Sequence, residues 1–223
     1  MTEELDKALD RVCILPRLSL SELLHISGLV RSVCGRASDV ILVAHRDHVR
    51  SIRNMYDGIP NLTFKLVTRY THAMLDSVEQ QGYHIVPLQT FRSVCPYAVM
   101  GLDPLLAYSQ FVTHRLLENE RELHDIICAD VGPVYAVVHD DESRKIRKDL
   151  LPQGIPIVSV RDPKYRRGSI FDWVQTIDHA VQFHGIDSCF AMMADMLALR
   201  ARKFVYCEDH SSYKYKDVVP ILG

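Results

Sequence analysis

Val134-Tyr135-Ala136-Val137-Val138-His139-Asp140-Asp141-Glu142-Ser143-Arg144-Lys145 passes from an unbroken apolar stretch straight into a run of polar residues. A short β-branched run cut off by charge reads as a strand buried on both faces, as in a parallel sheet. The same grammar recurs at Phe183-His184-Gly185-Ile186, followed by Asp187-Ser188-Cys189-Phe190. Further candidate strands lie at 12–15, 40–44, 62–67, 84–88, 155–160 and 203–206. Amphipathic stretches at 20–34, 46–56, 72–81, 169–181 and 187–199 alternate with them and read as helices. Strands alternating with helices make an α/β protein with parallel sheets covered on both faces.

One stretch breaks the rhythm. Leu105, Leu106, Tyr108, Phe111, Val112, Leu116 and Leu117 recur at helical spacing ahead of Glu118-Asn119-Glu120-Arg121-Glu122. The pattern predicts a helix over 104–126 that connects two lobes, 1–128 and 129–223. Asp130-Val131-Gly132-Pro133 then restarts the strand pattern.

Composition narrows the function. The chain has 223 residues, a hydrophobic fraction of 48% and a charged fraction of 24%, as in ordinary globular proteins. A net charge of -2 supplies no overall basic field for nucleic acid or anionic lipid. The six cysteines include no C-x-x-C pair and several stand in apolar runs, which predicts a reduced, cytoplasmic chain. The acidic start Met1-Thr2-Glu3-Glu4 is unlike a signal peptide, and no apolar run is long enough to span a bilayer. Oligomeric state is not legible. No G-x-G-x-x-G, P-loop or G-x-S-x-G motif occurs, which disfavours dinucleotide oxidoreductases, P-loop kinases and serine hydrolases.

In α/β sheets ligands bind beyond the carboxyl ends of the strands. After 134–139 this rule selects His139, Asp140, Asp141, Ser143 and Arg144. Arg144 offers a planar fork for a diphosphate, and Asp140 and Asp141 can accept hydrogen bonds from sugar or ribose hydroxyls. A solvated turn with an aspartate cap is the competing reading. After 183–186, Asp187, Ser188 and Cys189 open an apolar helix whose first N–H groups can meet an anion, or they form a simple cap. Gly185 allows close backbone approach there. Arg161 and Lys164, in a basic loop after 155–160, gather phosphate or form a solvated loop. Ser19 and Ser21, after 12–15, suit a helix cap. Asp140 and Asp141 can instead be the metal-binding acidic pair of a single-lobed GT-A glycosyltransferase. His45 and His48 have metal-compatible spacing but no nearby third ligand, and read as a surface pair.

Several segments together resemble the heptosyltransferase-like glycosyltransferases and their small bacterial and algal-virus relatives. Ser19-Leu20-Ser21-Glu22-Leu23-Leu24-His25-Ile26-Ser27-Gly28-Leu29-Val30-Arg31 is similar to the first loop and helix of that family, roughly G-L-G-D-H-x-x-x-N-G-x-x-R. Ser51-Ile52-Arg53-Asn54-Met55-Tyr56-Asp57 is similar to its second helix. His139–Arg144, together with Ile170-Phe171-Asp172-Trp173 and Ile186-Asp187-Ser188-Cys189-Phe190, is similar to its donor-lobe signatures. The resemblance implies a GT-B-like fold of two Rossmann-like lobes with parallel sheets and an interlobe cleft. The acceptor side would come first and the nucleotide-sugar side second. It further implies metal-independent transfer, with no cofactor, from a nucleoside-diphosphate-sugar to a hydroxyl of a glycan or glycoconjugate. The carboxylate of the first loop would act as the base of an inverting reaction. Here that residue is Glu22, not aspartate; the loop glycines are Ser19 and Ser21, and the next histidine is Leu23. A non-catalytic nucleotide- or glycan-binding relative is the alternative these departures suggest.

Overall fold

The computed structural model describes residues 10–88, 95–207, 215–216 and 219–222. The acidic start at residues 1–7 lies outside them. The chain forms two compact units, Met1–His114 and Arg115–Gly223, and each is built on its own parallel sheet.

In the first unit the strands are β1 (Arg11–Ile14), β2 (Asp39–His45), β3 (Leu62–Val67) and β4 (His84–Val86). They lie in the order β3-β2-β1-β4 and every pairing is parallel. Val40, Ile41, Leu42, Val43 and Ala44 are all buried, as expected of a central parallel strand covered on both faces. The helices are α1 (Leu20–His25), α2 (Ser27–Cys34), α3 (Val49–Tyr56), α4 (His72–Gln80), α5 (Pro96–Val99) and α6 (Leu106–Ser109). The helix expected over 20–34 is therefore broken at Ile26, and Tyr97 is the cause. Its hydroxyl donates to the His25 carbonyl at 2.7 Å and accepts from the Leu29 N–H at 3.3 Å. Those two groups would otherwise bond to each other, so a side chain has entered the helical ladder and bends it.

Gly28 lets α6 approach this bend. A Cβ on Gly28 would stand 2.0 Å from the Leu106 carbonyl oxygen and 2.6 Å from its carbon. Backbone cannot yield as a flexible side chain does. Gly28→Ala is expected to cost about 1–3 kcal/mol, read as a lower urea midpoint by circular dichroism; an unchanged midpoint would show that α6 moves freely.

The second unit contains α7 (Leu117–Val131), β5 (Ala136–His139), β6 (Ile157–Ser159), α8 (Val174–His179), β7 (Gln182–Ile186), α9 (Cys189–Met196), β8 (Arg202–Cys207) and β9 (Val219–Leu222). The sheet order is β6-β5-β7-β8-β9, all parallel. α7 packs on α8 and on the short 3₁₀ turn Ile170–Trp173, burying Leu123 and Ile127.

The single connecting helix expected over 104–126 is not formed. α6 ends at Ser109, and helix resumes only at Leu117. Between them, the His114 N–H donates to the Asn54 carbonyl at 2.6 Å, and Arg31 donates to the Val112 carbonyl at 3.3 Å. These bonds hold the segment to the first unit as non-helical chain. Arg115 instead turns to Glu120 on α7, at 2.8 Å and 2.5 Å. The division thus falls between His114 and Arg115, ahead of α7 and not near 128.

Candidate functional site

β5 and β7 are parallel neighbours in the second sheet, in a register that sets His139 beside Gly185. Their carboxyl-terminal turns therefore emerge side by side. Asp141 organises the first turn. Its Oδ1 accepts from the Ser143 N–H at 3.0 Å, the Ser143 hydroxyl at 2.8 Å and the Arg144 N–H at 2.7 Å. Its Oδ2 accepts from Arg144 Nε at 2.9 Å and Nη2 at 2.6 Å. Hydrogen bonds from Arg144, then Ser143, hold this carboxyl far below the usual carboxylate range. Arg144 Nη1 donates to the Asp187 carbonyl at 3.1 Å, so one guanidinium fastens the turn after β5 to the turn after β7.

A second link lies beside it. Ser188 Oγ and His139 Nδ1 share a hydrogen bond of 3.0 Å. Ser188 occupies the N-cap position of α9, but its hydroxyl makes no cap bond to the helix. The simple-cap reading therefore does not describe Ser188. The His139 ring lies 4.5 Å from that of Phe190, which in turn meets Trp173 edge-on at 6.3 Å. Burial pushes the His139 imidazole down to about 4, so it is uncharged near neutral pH. Cys189, a free thiol, opens α9. The Asp187 carboxylate accepts from the Tyr215 hydroxyl.

The remaining residues are placed less centrally. Asp140 pairs with Lys145 at 3.2 Å, and Arg161 reaches Glu142 at 3.0 Å. Lys164 pairs with Asp130 and donates its backbone N–H to Asp162 at 3.1 Å; no described contact brings it to His139 or Ser188. The approach expected over Gly185 is filled from within, because a Cβ there would meet the Phe183 ring at 2.8 Å. Among the described residues, no three His, Cys, Asp or Glu side chains gather to hold a metal ion. Asp141 in particular has its carboxylate oxygens occupied by arginine and serine.

In the first unit a second polar cluster lies beyond β1, β2 and β3. Ser19 caps α1, its hydroxyl accepting from the Glu22 N–H at 3.3 Å. Ser21 lies in the first turn of α1. The Glu22 side chain is only 13% exposed, and Arg17 Nε stands 3.6 Å from its Oε2. Burial raises the Glu22 carboxyl above its ordinary value, opposed by the Arg17 N–H and guanidinium. The Tyr70 hydroxyl, just past β3, donates to the Pro16 carbonyl. His48, just past β2, meets the backbone of Leu18, and burial lowers its imidazole. The His45 and His48 rings are 5.6 Å apart, and His45 Nδ1 accepts from the Asp47 N–H at 3.3 Å. Sequence reasoning does not single out Arg17 or Tyr70 as site residues, and it takes His48 only as half of a surface pair with His45. Their one signal is position, since each follows the carboxyl end of a strand.

Among the described residues no helix is long and apolar enough to cross a membrane. No family model matches the chain, and no curated protein matches it. A solved structure does. The crystal structure of the glycosyl transferase family 9 from Veillonella parvula is similar over 95% of this chain and 85% of that one, with a TM-score of 0.51 and 7% identity. At that identity the likeness is one of fold. The chain is an α/β protein of two parallel sheets with a glycosyltransferase family 9-like, GT-B type of fold.

Proposed function

We propose that this protein is a metal-independent glycosyltransferase that moves a sugar from a nucleoside-diphosphate-sugar to a hydroxyl of a glycan or glycoconjugate acceptor. The observation that carries the reading is the double link at the carboxyl ends of β5 and β7. Arg144 spans the two turns, and Ser188 meets the uncharged His139 between them. On a family 9-like fold this is the part of the second unit suited to a diphosphate. Two of the five guanidinium N–H groups remain for a ligand once three are engaged by Asp141 and Asp187. The N–H groups at the start of α9 add their partial positive charge. Asp141 acts here as the anchor of Arg144 and not as a hydroxyl contact, a role left to Asp140 and Asp187. Glu22 is the base that takes the acceptor proton, and inversion of the anomeric centre follows from direct displacement.

The metal-dependent GT-A reading has no comparable support, because the second carboxylate of its acidic pair is saturated by Arg144 and Ser143. Screening nucleoside-diphosphate-sugars for transfer and hydrolysis, with and without chelator, tests the proposal. Turnover that survives chelation is expected. Turnover that requires added metal would reject it, and nucleotide binding with no turnover would point to a non-catalytic binding protein.

Arg144→Ala is expected to weaken nucleoside-diphosphate binding about tenfold, from loss of charged hydrogen bonds worth about 1.5–3 kcal/mol each. Calorimetry with the diphosphate checks it. Unchanged affinity would remove Arg144 from the site.

A further inference from the structure

The first unit contains a device beyond the base itself. We infer that Arg17 is a positioning residue for Glu22, holding its carboxylate in the ionised state that proton abstraction requires. The inference rests on the proposed role of Glu22 as base.

The geometry is local and specific. Glu22 is seated, with its side chain 13% exposed, whereas Arg17 is 44% exposed and keeps one side in water. The separation of 3.6 Å between Nε and Oε2 is an ion pair and too long for a hydrogen bond. The Arg17 backbone N–H also favours the charged form of the same carboxylate. One residue thus offers Glu22 both a fixed dipole and a mobile charge.

The loop carrying Arg17 is held from several sides. Tyr70 donates to the Pro16 carbonyl, His48 meets the Leu18 backbone, and the Ser19 hydroxyl accepts from the Glu22 N–H. The arginine is therefore presented by a fastened loop and does not reach the carboxylate from a distant element. The titratable groups facing this carboxylate are Arg17 on its own loop and Tyr70 from beyond β3. Tyr70 is a neutral phenol whose ionisation is opposed by burial and by Glu22. Only Arg17 among them favours the charged carboxylate.

The balance has a clear sign. Desolvation disfavours the carboxylate, and a neighbouring cation restores it. Without Arg17, Glu22 would stay protonated to higher pH and would be unavailable as a base. An arginine this exposed acts at the lower end of the range for such pairs, about one pH unit.

Two readouts test the inference. The first is the titration of the Glu22 carboxyl followed by ¹³C NMR in the whole chain, assigned with Glu22→Gln. The second is the acid limb of the pH–rate profile, using the donor that the nucleotide-sugar screen identifies. Arg17→Met is expected to move both upward together by about one pH unit. Turnover should fall about tenfold on the acid limb and recover to within about twofold on the alkaline plateau. Arg17→Lys, which keeps a charge, should restore most of the shift. A Glu22 titration that does not move, or a uniform loss of rate at every pH, would overturn the inference. A moved titration combined with undiminished turnover in Glu22→Gln would instead remove Glu22 as base, and the NMR shift would still report the coupling.

Discussion

Turnover in Glu22→Gln should fall about 10²–10⁴-fold, the usual contribution of a general base, while affinity for the nucleoside-diphosphate-sugar stays within about twofold. The change preserves side-chain length and the cap that Ser19 makes to the Glu22 N–H, so the fold of α1 should survive. It removes the carboxylate that is proposed to accept the proton from the acceptor hydroxyl. Steady-state rates together with donor calorimetry separate the two effects. Near-normal turnover would reject Glu22 as the base; a parallel loss of donor affinity would show a structural and not a chemical defect.

The largest stability effect is expected at Arg115. Its guanidinium grips Glu120 through two bonds, and the Glu120 side chain is fully buried. Removing one partner leaves an uncompensated buried charge, which costs about 3–5 kcal/mol in a dry site. Because the Arg115 side chain is 37% exposed, water can partly replace it, and about 3 kcal/mol is the expected loss for Arg115→Met. Trp173 is the single tryptophan and is buried in the same unit, so its fluorescence during urea unfolding follows the correct half of the chain. Arg115→Met combined with Glu120→Met should recover most of the loss, since an apolar pair of similar size is tolerated in place of a buried ion pair. A double variant as weak as the single one would mean that packing, and not charge, is at stake.

Much of the architecture was legible because buried parallel strands write themselves as short apolar runs. All eight such runs became strands, from Arg11–Ile14 to Arg202–Cys207, although β4, β5 and β6 are shorter than their apolar stretches. The pattern failed where apolar residues are not buried. Leu105, Val112, Leu116 and Leu117 recur at helical spacing, yet each is about half exposed, and the hydrogen bonds to Asn54 and Arg31 keep the intervening chain irregular. Tyr97 shows a second limit. Nothing in the segment from Leu20 to Cys34 announces that a hydroxyl from far along the chain will enter its ladder.

The positions of the candidate residues were legible to the same depth. Strand ends located His139 and Ser188, because topology alone makes neighbouring strands of a parallel sheet finish together. What the strand ends did not disclose is which way the side chains turn. Arg144 satisfies itself on Asp141 before any ligand arrives, and Glu22 is matched with an arginine five positions earlier and a tyrosine beyond β3. Such pairings depend on loop conformation and long-range approach, which periodicity does not encode.

β9 was missed for a reason of its own. Its sequence is Val219-Pro220-Ile221-Leu222, and a proline inside a run argues against a strand unless that strand is outermost. Among the described residues β9 is outermost, pairing with β8 alone. A sheet rim is a standing invitation to self-association, because its unpaired N–H and C=O groups can template another chain. Pro220 has no backbone N–H to lend to a further strand. The residue that hid the strand from a reader of the sequence also makes the strand a poor seed for aggregation.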